Sequence, residues 1–479
     1  MTEQARATPR AVCIMPRNAA RFAHEPMPPL GLMSIAAALE GLGVRVSLYD
    51  GQVEPLSHLD SLLADPTHLA LIGGTTQQRF ESFALARRAR ARCPQATVIY
   101  GGPHATFAAE DSLEGEAAID IVCRGEGERT AGHLVSAIIA GENLSSVRGI
   151  SWRSDGRVVH NADADLIPDV DEIAPPARHL ADMARYLGVR DAYGRRIAHV
   201  MSARGCPYEC TFCSASVMWR RRYRARCPAL VVEEIAQLVK RYRVEHVKVF
   251  DSTFTVDRTH VEAFIEALRC AGLDLSWECE IRADTVDRPL LSAMRAAGCT
   301  DVQFGIESAS ERVLKTMRKG ITLGQAENAI RWAHELGIRS HTFFTFGHPT
   351  EAWEDACETM RFLRAHVRFI ADPVAGTGIV VYPGTEVHRF AVENRLLPEG
   401  FRWTAPYWEA RNPSLGCDPF VPILIQPQMG WRELGAIRRR LLWLRVTTPH
   451  VCAYRLRRLR GVRDARAALR SVLCVWRPP

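Results

Sequence analysis

A chain of 479 residues, 47% hydrophobic and 24% charged, has the composition of a folded globular protein and the length of two to three domains. No run of about 18 uncharged apolar residues occurs, and the polar Met1–Arg10 stretch carries no hydrophobic leader, so a membrane span is not expected and a cytoplasmic location is. The net charge of +7 is concentrated at the end of the chain, where 13 Arg face only Glu433 and Asp464 between Trp431 and Pro479.

In chain order, Ala11–Met15 reads as a short buried strand, and Pro28-Pro29-Leu30-Gly31 opens a helix that runs to Leu42. Strands follow at Val44–Asp50, Leu69–Gly74, Thr97–Tyr100 and Ile119–Val122, with helical segments between them. Such alternation implies parallel strands and a doubly wound sheet. In such sheets ligands lie outside the carboxyl ends of the strands, where backbone must approach closely. Gly74-Thr75-Thr76-Gln77, Gly101-Gly102-Pro103-His104 and Gly125-Glu126-Gly127-Glu128 occupy those ends. No G-x-G-x-x-G follows the first strand, which counts against NAD or FAD.

Residues 151–159 read as a hairpin turning on Asp155-Gly156. The acidic, proline-spaced Asp163–Asp171 and Pro175-Pro176 then read as a connecting segment. Beyond it, the apolar Ile197–Met201 leads into Cys206, Cys210 and Cys213, spaced C-x3-C-x2-C. Three thiolates fall one short of the four that close an ordinary iron–sulfur cluster. They also fall one short of a structural zinc shell, which His199 or His246 could complete as Cys3His. The other eleven of the 14 cysteines are scattered and read as small buried side chains, not as a disulfide framework.

Counting the strand before the cysteines, about six βα units are read here, the last strand at Thr377–Tyr382. That is fewer than the eight of a closed barrel, with functional side chains again expected at the carboxyl ends of the strands. Those ends carry Asp251, Glu280 with Arg282, Glu307 with Ser308, and Gly347-His348-Pro349. Trp403, Tyr407 and Trp408 lie in the loop-rich 398–422 segment, where they lid a pocket or form core. The Arg-rich end is interleaved with Leu, Val and Trp, a pattern for amphipathic helices folded onto the body and not for a nucleic-acid surface.

The cysteine motif, with Phe212 before its last member, resembles that of radical S-adenosylmethionine (SAM) enzymes. Glu280-Ile281-Arg282, Gly305-Ile306-Glu307-Ser308, Gly347-His348-Pro349-Thr350-Glu351 and Tyr382-Pro383-Gly384-Thr385 match further elements of that family in order. With Pro29-Leu30-Gly31 and the two glycine-rich strand ends before them, the chain resembles the cobalamin-dependent, class B radical SAM methylases over residues 10–390. The resemblance implies a Rossmann-like cobalamin-binding domain at 1–145, a linker with hairpin at 146–195, a partial (β/α)6 radical SAM barrel at 196–390 and a small helical, Arg-rich cap at 391–479.

It also implies a [4Fe-4S] cluster on Cys206, Cys210 and Cys213, and SAM against Phe212, Glu280, Arg282, Gln303, Glu307 and Ser308. Cobalamin falls to Thr75, Thr76, Gln77, Gly101, Gly102, His104, Gly125, Glu126 and Gly127, with His104 expected as a loop residue at the corrin edge. D-x-H-x-x-G, the source of a histidine cobalt ligand elsewhere, is absent here, as it is in many members of this class. The implied activity moves a methyl group from SAM, by way of cobalamin, to an unactivated carbon of an antibiotic-type precursor after hydrogen abstraction by the 5′-deoxyadenosyl radical. An external flavodoxin- or ferredoxin-type donor supplies the electron, and no catalytic acid or base is implied. A radical cyclisation, oxidation or rearrangement without methyl transfer is the alternative, and a cobalamin- or redox-sensing binding protein is a third.

Overall fold

The computed structural model describes residues 8–17, 26–188, 190–405 and 421–459. Tyr407, Trp408, Cys417, Cys474 and the part of the basic tail beyond residue 459 lie outside them. The chain forms two compact units, Met1–Tyr186 with Gly400–Pro406, and Leu187–Glu399 with Tyr407–Pro479.

The first unit alternates β1 (Arg10–Met15), α1 (Leu30–Gly41), β2 (Arg45–Asp50), α2 (Leu56–Ala64), β3 (Leu69–Ile72), α3 (Arg79–Arg92), β4 (Thr97–Tyr100), α4 (Pro103–Phe107), α5 (Ala109–Gly115), β5 (Ile121–Cys123) and α6 (Gly127–Ala140). Strands β6 (Ile150–Ser154) and β7 (Arg157–His160) and helix α7 (Met183–Leu187) follow. Every residue of β3 is buried, as a strand covered on both faces requires, and its apolar run Leu-Ala-Leu-Ile meets that demand. The sheet order is β2-β1-β3-β4-β5-β6-β7, the first five strands parallel. The order reverses between β1 and β3, which opens a crevice at their carboxyl ends.

The hairpin extends this sheet, β6 pairing antiparallel with β5. The acidic segment after it also lies on the first unit: Ala177 donates its N–H to the Met33 carbonyl, and the Tyr186 hydroxyl donates to Asp50 Oδ2 at 2.7 Å. Gly127 lets α6 sit against α1, since a methyl group there would meet Ile35 Cδ1 at 2.6 Å.

In the second unit β8 (Ile197–Val200), β9 (Ala203–Arg204), α8 (Ser214–Met218), β10 (Arg224–Ala225), α9 (Pro228–Tyr242), β11 (His246–Val249), α10 (Arg258–Ala271), β12 (Ser276–Ile281), α11 (Arg288–Ala296) and β13 (Cys299–Glu307) come first. They are followed by α12 (Glu311–Thr316), α13 (Leu323–Glu335), β14 (Arg339–Phe346), α14 (Trp353–His366), β15 (Asp372–Thr377), α15 (Glu386–Glu393), α16 (Trp431–Thr447) and α17 (Pro449–Arg457). Strands β8 and β11–β15 form one six-stranded parallel sheet in the order β15-β14-β13-β12-β11-β8, the partial barrel expected.

Its last strand lies before the expected Thr377–Tyr382. The Pro373 and Gly376 that disguise β15 are tolerated because it is an edge strand. Beside it lie α16 and α17: Arg445 donates to the Pro373 carbonyl and Arg455 to Asp372. Among the described residues no helix is long and apolar enough to cross a membrane.

Candidate functional site

The cysteine loop is pinned at its base. β9 and β10 pair as a two-residue antiparallel ladder, so residues 205–223 form a closed excursion from the end of β8. Gly205 stands at φ +88°, and a methyl group there would sit 1.9 Å from the Arg222 carbonyl oxygen. No other residue fits that position.

From below, Asp251 beyond the end of β11 accepts the amides of Ser202 at 2.8 Å and Ala203 at 3.1 Å. Sideways, Thr211 N–H donates to the Met317 carbonyl, and Val387 N–H to that of Thr211. Thr253 Oγ1 lies 3.9 Å from Cys206 Sγ.

Cys206, Cys210 and Cys213 are free, half-buried thiols. Burial pushes the Cys210 and Cys213 thiols up. Lys319 and Arg282 oppose it at Cys210, the amides of Ala215 and Ser216 at the start of α8 oppose it at Cys213, and the neighbouring cysteines add to it at both. At both, burial outweighs the opposing groups, so the net direction is toward the protonated thiol. A tetrahedral zinc would hold three sulfurs about 3.8 Å apart. Among the described residues, however, the one trio of ligand atoms all within 4.8 Å is His246, Glu278 and Asp301. Three cysteines with no fourth in the loop fit a cluster that keeps one iron open.

The expected SAM residues divide by position. Glu280 and Arg282 leave the end of β12, and Glu307 ends β13. Burial raises the Glu280 carboxyl, and Lys248 Nζ at 3.8 Å opposes it. Glu307 takes the left-handed conformation at φ +70°, uncommon away from glycine, and receives Lys319 Nζ at 3.2 Å and Thr345 Oγ1 at 3.3 Å. Phe212 packs on the Ile379–Val381–Leu424 cluster and stands edge-on to His348, 5.4 Å between centroids. His348 is enclosed and held neutral, its pKa driven down to about 3 by burial and by Lys319.

Gln303 and Ser308 are engaged elsewhere. Gln303 donates to Glu278 inside the barrel at 3.3 Å, and the Ser308 hydroxyl meets Thr359 Oγ1 and the Ser310 amide. Sequence reasoning missed Lys319, Thr345 and Thr253. Lys319 follows Arg318 and precedes a glycine, so it reads as a surface turn.

In the first unit the β3 and β4 ends meet. Gly102 stands at φ +102°, and a methyl group there would lie 2.6 Å from the Gly74 carbonyl oxygen. Thr75 caps the turn that follows through Gln78, and Gln77 within that turn is half-buried. Gly101 and Gly125 are also half-buried, and the Gly125 amide is tied to Thr106 Oγ1 at 3.0 Å. Glu126 is buried and accepts the Ile167 amide at 2.6 Å. Backbone meeting backbone beside the switch between β1 and β3 is a cradle that fits a large flat cofactor.

His104 is not a loop residue. It is 0% exposed within α4, its Nδ1 3.3 Å from Thr76 Oγ1 and its ring 5.7 Å from that of Trp403. Burial first, then the Arg79 charge, brings its pKa down to about 3. Arg79 is itself enclosed, donating to the carbonyls of Trp403 and Thr76.

These two sites sit on the folds known to use them. Residues 200–363 match the model of the radical SAM superfamily, and residues 20–135 that of the B12 binding domain. An uncharacterized methyltransferase of Pyrococcus horikoshii is 33% identical over 374 residues, 77% of this chain and 80% of that protein. The anaerobic magnesium-protoporphyrin IX monomethyl ester cyclase of Synechocystis is 27% identical over 468 residues, 92% of this chain and 91% of the cyclase. The structure of the radical SAM methyltransferase TsrM from Kitasatospora setae, with cobalamin and a [4Fe-4S] cluster bound, matches in fold with a TM-score of 0.71 at 18% identity, over 91% of this chain and 89% of that one. The two domains together define a radical SAM enzyme with a B12 domain in front. More narrowly, the chain belongs to the cobalamin-dependent radical SAM methylase family, with a [4Fe-4S] cluster, SAM and cobalamin as its cofactors.

Proposed function

We propose that the protein is a C-methyltransferase acting on an unactivated carbon of a small specialised-metabolite precursor of the antibiotic type. The observation that carries the radical part of this reading is the cysteine trio, one ligand short of a closed cluster, and the relative named a methyltransferase supports the methyl transfer. When bound, the cluster and SAM supply a 5′-deoxyadenosyl radical, and cobalamin supplies the transferable methyl group.

The chain's own part is placement. Cys206, Cys210 and Cys213 would hold the cluster on a loop clamped at its base and on its flanks. Glu280, Glu307 and Arg282 would surround SAM at the barrel mouth, with Phe212 against enclosed His348 keeping water from the reacting end. In the first unit Gly74 and Gly102 would give cobalamin a backbone floor, and Thr75, Gln77, Gly101 and Gly125 its edges. The electron would come from a flavodoxin- or ferredoxin-type carrier in the cytoplasm.

The cyclase relative, aligned over nearly the whole of both chains, favours a second reading: radical ring closure or oxidation without methyl transfer. Protein reconstituted anaerobically with iron, sulfide and hydroxocobalamin, then given SAM and reductant, tests both. Formation of 5′-deoxyadenosine supports the radical chemistry. A product heavier by one CH2, with two SAM consumed, supports methyl transfer. A product lighter by two hydrogens at one SAM overturns it in favour of the second reading.

A further inference from the structure

The excursion that carries the cysteines ends in a cluster of arginines. From Arg204 to Arg226 six Arg stand against one acid, Glu209. Glu209 is paired with Arg221 and Arg226 with Glu234, so the acids at hand are outnumbered and the surface stays cationic.

Arg220, Arg221 and Arg222 are exposed and follow directly on α8 and Trp219. Arg220 stands at φ +49° and Arg221 at φ +56°. The Arg220 N–H donates to the Val217 carbonyl at 3.1 Å and the Arg221 N–H to that of Ser216 at 2.9 Å, which closes the helix. A left-handed helix end ordinarily goes to glycine or asparagine. Successive arginines there combine backbone strain with like charges held side by side, which a surface needed only for solubility does not require.

The turn is close to the cysteines at both ends of their loop. α8 begins at Ser214, next to Cys213, and its five residues span about 8 Å. On the other side the Arg222 carbonyl is the group that Gly205, next to Cys206, must leave room for. Val217 on α8 is 42% exposed, and the half-buried Trp219 ring has the guanidinium groups of Arg204 and Arg224 5.9 and 5.6 Å from its centroid. An apolar and aromatic centre inside a rim of arginine has the anatomy of a protein-docking patch.

We propose that this turn is the docking surface for the one-electron carrier, an acidic protein that lays its negative face on Arg220 and Arg222 and its redox group toward Val217 and Trp219. Electron transfer falls steeply with distance, so a polyanion gains from this position when it brings an electron to the cysteine loop. Docking passes one electron from carrier to cluster and exchanges no atom. The inference rests on the radical SAM reading, which needs that electron, and assigns its delivery to one face of the chain. The contact is small and transient, as electron-transfer encounters are.

The experiment uses full-length, anaerobically reconstituted wild type and the double variant Arg220→Glu with Arg222→Glu, with an acidic flavodoxin as probe. Arg432→Glu with Arg439→Glu, exposed positions on α16, gives the same change of net charge away from the cysteines. Calorimetric titration gives the dissociation constant for flavodoxin. The rate of 5′-deoxyadenosine formation is measured with reduced flavodoxin below saturation and, separately, with dithionite and methyl viologen. Charge reversal at the turn should weaken flavodoxin about tenfold or more at low salt, with the gap narrowing as salt is raised. The flavodoxin-driven rate should fall by a similar factor, while the viologen-driven rate and the α16 variant stay within about twofold of wild type. Arg220→Gln with Arg222→Gln should fall between, and replaces the glutamate variant should that one not fold. An unchanged flavodoxin constant overturns the proposal, as does an equal loss with both reductants or an equal loss in the α16 variant. Charge reversal that weakens a single-stranded oligonucleotide and spares flavodoxin overturns it in favour of a nucleic-acid surface. No 5′-deoxyadenosine from wild type with the viologen overturns the radical SAM reading itself, and this inference with it.

Discussion

Asp251 and Ser202 are joined twice: the carboxylate accepts the serine amide at 2.8 Å and the serine hydroxyl as well. His260 Nε2 reaches the same hydroxyl at 3.3 Å. Ser202 stands between β8 and the ladder that closes the cysteine loop, so the pair sets the direction in which the loop leaves the barrel. An amide in place of the carboxylate offers an N–H2 where acceptors are needed. Asp251→Asn should therefore cost about 1–3 kcal/mol of stability and lower bound iron severalfold after reconstitution, with cobalamin uptake unchanged. Iron and acid-labile sulfide assays beside thermal unfolding check it. Full iron content in a destabilised variant would leave Asp251 a merely structural residue.

The cluster itself makes the next expectation. Replacing Cys206, Cys210 and Cys213 together by alanine should abolish the iron–sulfur absorbance and 5′-deoxyadenosine formation while the corrin bands remain. These side chains are half-buried, and among the described residues their polar contacts are few, Thr253 at Cys206 and the Ala215 and Ser216 amides at Cys213, so the apo-protein should unfold within a few degrees of wild type. Retention of cluster bands in the triple variant would place the ligands elsewhere.

Gly102→Ala probes the first unit. The methyl group must occupy space 2.6 Å from the Gly74 carbonyl oxygen while the backbone keeps φ +102°, a region alanine avoids. The β4 end should move away from the β3 end at a cost of about 1–3 kcal/mol, and cobalamin should dissociate on desalting. The iron content should hold at the wild-type level. Cobalamin retained at wild-type stoichiometry would remove these two strand ends from the binding cradle.

What could be read in advance follows from how local the signal is. C-x3-C-x2-C and Gly305-Ile306-Glu307-Ser308 are contiguous strings, and strand ends follow from apolar runs that stop at glycine or a carboxylate. Lys319 was hidden because its burial is produced by Glu307 and Arg282, which lie on other strands. His104 looked like a loop residue because Trp403, which covers it, comes from a distant part of the chain. β15 was misplaced because Pro373 and Gly376 lower its strand propensity, and only its place at the edge makes them harmless. Tertiary neighbours decided each of these, and no window of sequence contains them.

Trp403→Ala tests that covering residue. Trp403 is buried against His104 and Phe401, and its carbonyl accepts Arg79 Nε at 2.7 Å. Removing the indole should cost about 3–5 kcal/mol if the site cannot collapse. It should also admit water to His104, whose pKa of about 3 is set first by burial and then by Arg79. The imidazole should then titrate nearer its ordinary range, seen as an NMR shift of its ring protons between pH 5 and 7. An imidazole that stays neutral down to pH 4 in the variant would show that Arg79, not enclosure, governs it.

Asp301 sets the acid limit of the second unit. Burial alone would raise its carboxyl, but hydrogen bonds from His341 at 3.1 Å and Arg339 at 2.7 and 2.6 Å outweigh it and hold the group well below the usual carboxylate range. Beside it Glu278 is brought down to about 2, where burial is again overcome, here by His246 and Lys248. A carboxyl whose folded pKa lies below its unfolded value binds more protons when unfolded, so stability rises with pH across the interval between the two. The contribution of both acids is complete above about pH 4, the unfolded value, and drains away as pH falls through the folded values. Asp251 runs the other way. Burial lifts it to about 6 against its Ser202 and Ala203 donors, so its part of the stability declines as pH rises from about 4 to 6 and is level above that. Urea unfolding followed from pH 7 to pH 2 should steepen below pH 4, and Asp301→Asn should flatten that limb. At neutral pH the same substitution should cost about 3 kcal/mol or more, because Arg339 and His341 then face no charge. An Asp301→Asn protein with the wild-type acid limb would assign the acid lability to other carboxylates.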